Sequence, residues 1–223
     1  MQHTNLYSGK AADVIRVLLV RYPQRMPLRA LAKEAGVSLG QAFNVSKSLI
    51  NEGLALRDSN NYEFTLMAPS VLLKRWATVN NFVANTRFID YNALEDSNFF
   101  GKLKELDIND NNDYALTGPF GALFIAPWVR TNSVQIYVRT EEDAKNLASE
   151  LDLIPIEGVG NVRFAIPNSN GVFYGARKID SVQIVSDVQL YVDLLNYPAR
   201  GAEAASRIYD VIEQNWGSEE FNV

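Results

Sequence analysis

Gln41, Asn44 and Lys47 have side chains suited to reading the major groove of duplex DNA. They follow one another at three-residue steps, so a helix would present them on its outer side. The amides of Gln and Asn can each bond adenine bidentately, and lysine can bind a phosphate or a guanine edge. Ser38 and Ser48 add hydroxyls near the two ends of this segment. We therefore predict that these five side chains contact DNA.

A helix over residues 39–51 must position these side chains, and the sequence predicts one. Ala42, Val45 and Leu49 recur with helical spacing, so they form the buried side of the helix. Ser38 stands just before it, where a hydroxyl can bond the free N–H groups of the first turn. The helix therefore has a capped start, an apolar side and a small, polar outer side.

The preceding residues complete a DNA-reading unit. Residues 28–35 have the apolar spacing of a shorter helix, and Gly36 permits the tight turn between the two helices. We predict a further helix over residues 8–22, which ends before Pro23 and closes over the other two helices. Two helices joined by such a turn are typical of helix-turn-helix units, although some of these units bind proteins instead.

A β-hairpin follows the two helices and makes the unit winged. Residues 54–57 and 62–66 are two short strand-like runs on either side of a Ser-Asn-Asn turn. We predict that Arg57 and Asn60 of this wing reach the DNA backbone or the minor groove. Phe43 occupies an outer position of the second helix, where it can touch a thymine methyl group or pack beneath the first helix, and we favour packing.

Composition excludes several classes of protein. The chain has 223 residues, 47% of them apolar, no cysteine, and one histidine, His3. Structural disulfides, Cys/His zinc sites and cysteine nucleophiles are therefore excluded, and histidine-based catalysis is not expected. No apolar run approaches the roughly 20 residues of a membrane helix, and the N-terminus does not resemble a signal peptide. We expect a cytoplasmic protein with no membrane contact.

The net charge of −5 divides unevenly along the chain. Residues 1–70 hold eight Lys/Arg and five Asp/Glu, a net charge of +3, whereas residues 71–223 carry a net charge of −8. A region with so little positive charge cannot bind DNA by phosphate attraction alone. Base contacts or a second copy of the chain must therefore contribute.

The order of predicted elements indicates two domains and an α+β fold. Residues 1–70 form the winged helix-turn-helix, and residues 71–223 form a larger mixed α/β domain entered through a helix over 71–86. Several of its predicted strands are separated by turns, and there are more strands than the predicted helices could separate. We therefore expect a sheet covered on one side. The strands that we predict most clearly are residues 134–138, 162–166, 172–174 and 182–185.

No motif in the larger domain indicates catalysis. Gly158-Val159-Gly160 lacks the third glycine of a dinucleotide-binding turn, and no phosphate-binding GK[ST] motif occurs. Residues 107–113 have the Asp/Asn spacing of a calcium loop but lack its glycine at the sixth position and its glutamate at the twelfth. We predict no enzyme, no cofactor and no metal.

Three segments carry a resemblance to a known family: YALTG at residues 114–118, VQIYV at 134–138 and the stretch from Ser186 to Gly201. Behind a winged helix, they resemble the AbiE-type antitoxins of type IV toxin–antitoxin systems, which act in abortive infection. The resemblance implies a transcriptional autorepressor that binds inverted repeats in its own promoter. It also implies an antitoxin that counteracts, directly or functionally, a nucleotidyltransferase-like toxin encoded next door.

Four polar residues near the C-terminus have two open interpretations. Asp187, Gln189, Asp193 and Arg200 can form a surface for a partner protein. Alternatively they are structural, with Asp187 capping a helix and Arg200 pairing with Asp193.

A second class of function also remains open. In this alternative the protein is a one-component transcriptional regulator whose C-terminal domain senses a small apolar ligand. The ligand would bind among aromatic residues that are equally suited to an ordinary core. The candidates are Trp76, Phe120, Phe124 and Trp128.

Overall fold

The computed structural model describes residues 6–58, 63–94, 98–107, 114–127, 131–198 and 200–220. The first part of the chain is a winged helix-turn-helix, as predicted. Gly36 turns the chain between its second and third helices with a φ of 61°, which glycine adopts without steric cost. In chain order the elements are α1 (Gly9–Val20), β1 (Met26–Pro27), α2 (Leu28–Glu34), α3 (Leu39–Asn51), β2 (Ala55–Arg57) and β3 (Glu63–Leu66).

The wing is a three-stranded sheet in the order β1-β3-β2. β3 pairs antiparallel with β2 as the hairpin predicts, and also with β1, which the sequence did not indicate because it has only two residues. Met26, Ala55 and Leu66 are buried in the same core as the apolar residues of α1, α2 and α3, so packing fixes the sheet to the helices.

The rest of the chain is a mixed α/β region, which confirms the predicted α+β class. Its elements are α4 (Pro69–Val79), α5 (Phe82–Asn85), β4 (Arg87–Asn92), α6 (Phe99–Asp107), β5 (Tyr114–Thr117), α7 (Gly118–Ala122), β6 (Val134–Val138), α8 (Glu141–Glu150), β7 (Ile154–Pro155), β8 (Val162–Ile166), a 3-10 turn (Asn170–Phe173), β9 (Arg177–Ile179), β10 (Val182–Ile184), α9 (Asp187–Leu194) and α10 (Gly201–Glu220).

The strands of this region form one seven-stranded sheet in the order β7-β4-β8-β6-β5-β10-β9. Both faces of the sheet are covered, so the prediction of a sheet covered on one side was wrong. Ala115 and Tyr137 pack into a core with α4, α9 and α10, whereas Leu116 and Ile136 pack on the other face with α6 and α8. Every residue of the central strands β5 and β6 is buried, because successive side chains enter opposite cores.

Two predicted elements differ from the structure. The helix expected over residues 71–86 is two helices, because Asn80 is extended and the Asn81 side chain accepts a bond of 3.0 Å from Ala84 N to start α5. The strand expected over residues 172–174 is part of the 3-10 turn. The Asp/Asn segment that resembles a calcium loop lies mostly at residues 108–113, outside the described residues.

α1 is buried between the other helices of the winged helix-turn-helix and the larger region. All its residues from Ala11 to Leu19 are buried, and it packs on α2 and α3 as well as on α9. Its apolar side chains belong to the same core as those of α9 and α10. The division at residue 70 therefore crosses a shared core, and the two-domain boundary stays a prediction. No helix in the described part of the chain is both long and apolar enough to span a membrane.

Candidate nucleic-acid interface

α3 begins at a reciprocal cap. The Ser38 hydroxyl accepts a bond of 3.2 Å from Gln41 N, and Gln41 Oε1 accepts a bond of 3.0 Å from Ser38 N. These two predicted DNA contacts therefore stabilise the first turn of the helix. A bidentate bond from Gln41 to adenine would require its cap bond to break. Of the two amides predicted to read adenine, Asn44 is therefore the better placed.

The outer face of α3 is exposed and small. Gly40, Asn44, Lys47 and Asn51 are exposed, and Ser48 is half-buried beside them. Among the described residues, no side chain hydrogen-bonds or pairs with Asn44 or Lys47, so both can bond to a ligand without losing a partner within the protein. The structure thus brings Asn44, Lys47 and Ser48 together on one surface, which we call the α3 face.

A cleft of about 330 Å³ runs beside the α3 face, between α3 and the start of α1. Gln41, Asn44 and Ser48 line it from one side, and Lys10 lines it from the other. Lys10 Nζ bonds the Gly36 carbonyl at 3.1 Å, which holds this positive charge near the turn before α3. Sequence spacing missed Lys10, because it reaches the face from another helix.

The opposite edge of α3 is apolar and exposed. Phe43 is 42% exposed, and Leu39, one turn earlier, is 47% exposed. The favoured prediction, that Phe43 packs beneath the first helix of the pair, α2, was therefore wrong. α3 presents its other side to α1, where Ala42, Val45 and Leu49 fill the core.

Of the two wing residues predicted to contact DNA, Arg57 lies among the described residues. Arg57 is exposed on β2, and its guanidinium carbon lies 5.8 Å from the centroid of the Phe64 ring. Arg57 therefore lies on the outside of the wing, where its guanidinium group is steadied by an aromatic ring of the neighbouring strand. Asn60 lies outside the described residues.

Behind α3, a buried network of polar side chains joins α1 to α9. Arg16 Nη1 donates to Asp13 Oδ1 at 2.6 Å, and Arg16 Nε donates to Gln189 Oε1 at 2.7 Å. Gln189 Nε2 then donates to Asp193 Oδ1 at 2.8 Å. We call these four residues the junction network. Sequence reasoning missed it, although a charged pair inside the apolar run of α1 was a signal that a buried partner exists.

Asp193 is the innermost group of the junction network and is only 1% exposed. Burial raises its pKa to about 7, although hydrogen bonds donated by Thr117, Gln189 and Tyr137 and the positive charge of Arg16 act in the opposite direction. The Thr117 hydroxyl donates to Asp193 Oδ2 at 2.7 Å. The network therefore links α1 and α9 to the middle of the sheet.

Gln189 and Asp193 do not lie on a partner surface, contrary to one of the two interpretations. Gln189 is 3% exposed, and both side chains bond within the junction network. The alternative interpretation was also wrong in detail. Ser186, not Asp187, caps α9 by accepting a bond of 3.2 Å from Gln189 N.

The two other candidate partner residues pair locally. Asp187 Oδ1 accepts a bond of 2.6 Å from Arg177 Nη2. Arg200 is exposed and pairs with Glu203, one turn away, at 3.1 Å rather than with Asp193. The expected Arg200–Asp193 pair is therefore absent, because Asp193 points into the core.

The aromatic residues considered for a ligand site do not converge, as far as the structure describes them. Trp76 lies in the core shared by α1 and α9, where the Arg16 guanidinium carbon sits 5.1 Å from its ring centroid. Phe120 and Phe124 pack against the core on the opposite face of the sheet. Trp128 lies outside the described residues. A cavity of about 420 Å³ adjoins Trp76, and Asp13, Arg16, Gln189 and Asp193 in its lining bond to one another.

Comparison with known families identifies the larger region. Residues 65–214, about two thirds of the chain, match a family model described as a transcriptional regulator, AbiEi antitoxin, of type IV toxin–antitoxin systems. The match begins in the last strand of the wing, so α3 lies outside it. No curated protein and no solved structure matches the chain significantly.

Proposed function

The chain belongs to the AbiEi antitoxin family of transcriptional regulators from type IV toxin–antitoxin systems, and on this premise we propose that it is both a DNA-binding autorepressor and an antitoxin. As a repressor it binds inverted repeats in the promoter of its own operon. As an antitoxin it counteracts a nucleotidyltransferase-like toxin. Both activities are regulatory and take place in the cytoplasm.

The observation that carries the repressor half is the α3 face. Asn44 and Lys47 are exposed on the second helix of a helix-turn-helix, the helix that enters the major groove in such units. An amide can read adenine there, and a lysine can bind a phosphate or guanine. Lys10 and Arg57 flank this helix with further positive charge.

The antitoxin half is supported by negative charge in the larger region. Glu142 and Glu150 are exposed on α8, and Glu157 is exposed beyond it. Ile154 and Val159 are exposed apolar residues in the segment that follows α8. A partner that acts on nucleic acid is expected to carry positive charge, and complementary charge accelerates encounter. We therefore place the toxin contact on this acidic surface, rather than at Gln189 and Asp193.

DNA binding is tested by titrating the full chain onto the duplex upstream of its own gene and onto a scrambled duplex of the same composition. We expect Asn44→Ala to lose about 1–3 kcal/mol on the promoter duplex while its weak binding to the scrambled duplex is unchanged. Asn146→Ala, which removes an exposed amide from α8, is the matched control and keeps both affinities. Equal losses on both duplexes would contradict base reading by Asn44.

The antitoxin role is tested by growth of cells that express the neighbouring nucleotidyltransferase-like toxin. The full chain should restore growth, and a variant with Glu142→Lys, Glu150→Lys and Glu157→Lys should not, provided that both accumulate in folded form. Rescue by the triple variant would place the toxin-opposing function elsewhere in the chain. Failure of the folded full chain would exclude the antitoxin role and favour a ligand-sensing regulator.

A further inference from the structure

Leu39 and Phe43 form an apolar edge along one side of the α3 face. The two side chains are one helical turn apart, and Lys47 follows after another turn, so the three make a single row along α3. Leu39 is 47% and Phe43 is 42% exposed. We call Leu39 and Phe43 the apolar edge.

The apolar edge is not part of the core of the winged helix-turn-helix. Ala42, Val45 and Leu49 already bury the inner side of α3 against the core. Leu39 and Phe43 instead leave a large part of their surfaces in water, which loses hydrophobic stabilisation in proportion to the exposed area. An isolated exposed apolar residue is ordinary, but two in one row beside the DNA-contacting side chains indicate a binding role.

The neighbours of the apolar edge specify what covers it. Lys47 continues the row, and the region before residue 71 has a net charge of +3, so the occupant should be anionic. Gly40 is exposed next to Phe43, and a Cβ placed on it would meet nothing within 4 Å. Packing within the protein therefore does not require a glycine at residue 40. The absence of a side chain there leaves room for a close approach by a ligand.

Duplex DNA offers one apolar group in its major groove, the C5-methyl group of thymine. This methyl group lies beside the acceptors and donors that an amide reads. A lysine on the same helix can reach a nearby phosphate. We propose, on the basis of the DNA binding proposed above, that Leu39 and Phe43 contact thymine methyl groups and make T·A pairs part of the recognised sequence. Asn44 reads bases from the α3 face beside them.

Replacing thymine by uracil tests this proposal, because it removes only the methyl group. Duplexes that the full chain selects from a random-sequence pool supply the probe, and each thymine is then replaced singly by uracil. We expect about a fourfold loss of affinity for each contacted thymine, which is the effect of burying one such group. Phe43→Ala should bind the thymine duplex more weakly and should no longer distinguish uracil from thymine at one position.

The controls separate this proposal from the proposed function. Val79→Ala, which shortens a 58% exposed side chain at the end of α4, should keep the thymine preference of the unaltered protein. Failure to select any duplex would overturn DNA binding itself. Selection of duplexes in which uracil binds as well as thymine at every position would overturn only the thymine contact.

Two further outcomes test the assignment to Phe43 and the geometry of approach. If Phe43→Ala keeps the thymine preference but changes the sedimentation of the free protein, a second copy covers the apolar edge and the proposal is wrong. Gly40→Ala should be at least as resistant to urea as the unaltered protein, since the space is open and alanine favours helix. Its affinity for the selected duplex should nevertheless fall, and an unchanged affinity would contradict close approach at residue 40.

Discussion

The α3 face and the junction network are both polar, but they use their polar groups in opposite ways. Asn44 and Lys47 are exposed and bond no other side chain in the described part of the chain, so their hydrogen bonds remain available for a ligand. Arg16 and Asp193 are buried and bond other protein groups. Burial and existing partners, rather than residue type, therefore distinguish a side chain that can accept a ligand from one that holds the fold.

The largest expected effect breaks the junction network. Arg16→Ala removes the partner of Asp13 and of Gln189 Oε1 and leaves a carboxylate buried without its cation. We expect the free energy of unfolding, measured by urea denaturation, to fall by about 3–5 kcal/mol. Arg75→Ala breaks the exposed Arg75–Glu52 pair of 2.9 Å and serves as the matched control, with an expected loss of about 0–1 kcal/mol. Similar losses for both variants would show that the buried contacts of Arg16 stabilise the fold no more than an exposed ion pair does.

The second prediction concerns pH. Because burial raises the pKa of Asp193 to about 7, the folded chain holds a proton that the unfolded chain releases near pH 4. This group therefore makes the free energy of unfolding fall as pH rises from about 4 to about 7, by up to about 1.4 kcal/mol per pH unit. Asp193→Asn keeps the shape without the ionisation, and the Thr117 hydroxyl can rotate to accept from the new amide.

The measurement for Asp193→Asn is a series of urea denaturation curves at pH 5, 6, 7 and 8. The stability of the variant relative to the unaltered protein should increase with pH up to about 7 and then level off. Parallel pH profiles for the two proteins would mean that Asp193 carries the same charge in the folded and the unfolded chain across this window. The ionisation of Asp193 would then not distinguish the junction network from the α3 face.

The two regions also differ in how much of them could be predicted from sequence. α3 was predicted with its observed bounds, because its signals are local: a capping serine, an apolar period and glycine turns at both ends. The junction network joins residue 16 to residue 189, so spacing along the chain contains no information about it. Spacing did place Phe43 on the outer side of α3, and the favoured interpretation failed because Ala42, Val45 and Leu49 already fill the buried side. The two-residue strands β1 and β7 were too short to show a period.

The third prediction tests whether Ser38 and Gln41 belong with the stabilising residues or with the DNA-contacting ones. Ser38→Ala removes the hydroxyl that accepts from Gln41 N, so we expect the free energy of unfolding to fall by about 1 kcal/mol. Gln41→Ala should cause a similar loss, and the double variant should lose less than the sum because the two side chains form one cap. Unchanged stability in both single variants would leave Gln41 free to read adenine.

The smallest expected effect on stability, and the sharpest test of the α3 face, comes from Lys47→Ala. Lys47 is exposed and pairs with no side chain among the described residues, so its removal should change the free energy of unfolding by less than about 0.5 kcal/mol. If Lys47 binds a phosphate, the variant should bind promoter and scrambled duplexes more weakly by a similar factor. The slope of log affinity against log salt should also become shallower by about one unit, because one fewer counterion is released. Lys145→Ala on α8 removes an equally exposed lysine and should leave that slope unchanged. A loss confined to the promoter duplex with an unaltered salt slope would instead assign Lys47 to a guanine edge, and it would make Lys47 a base-reading residue beside Asn44.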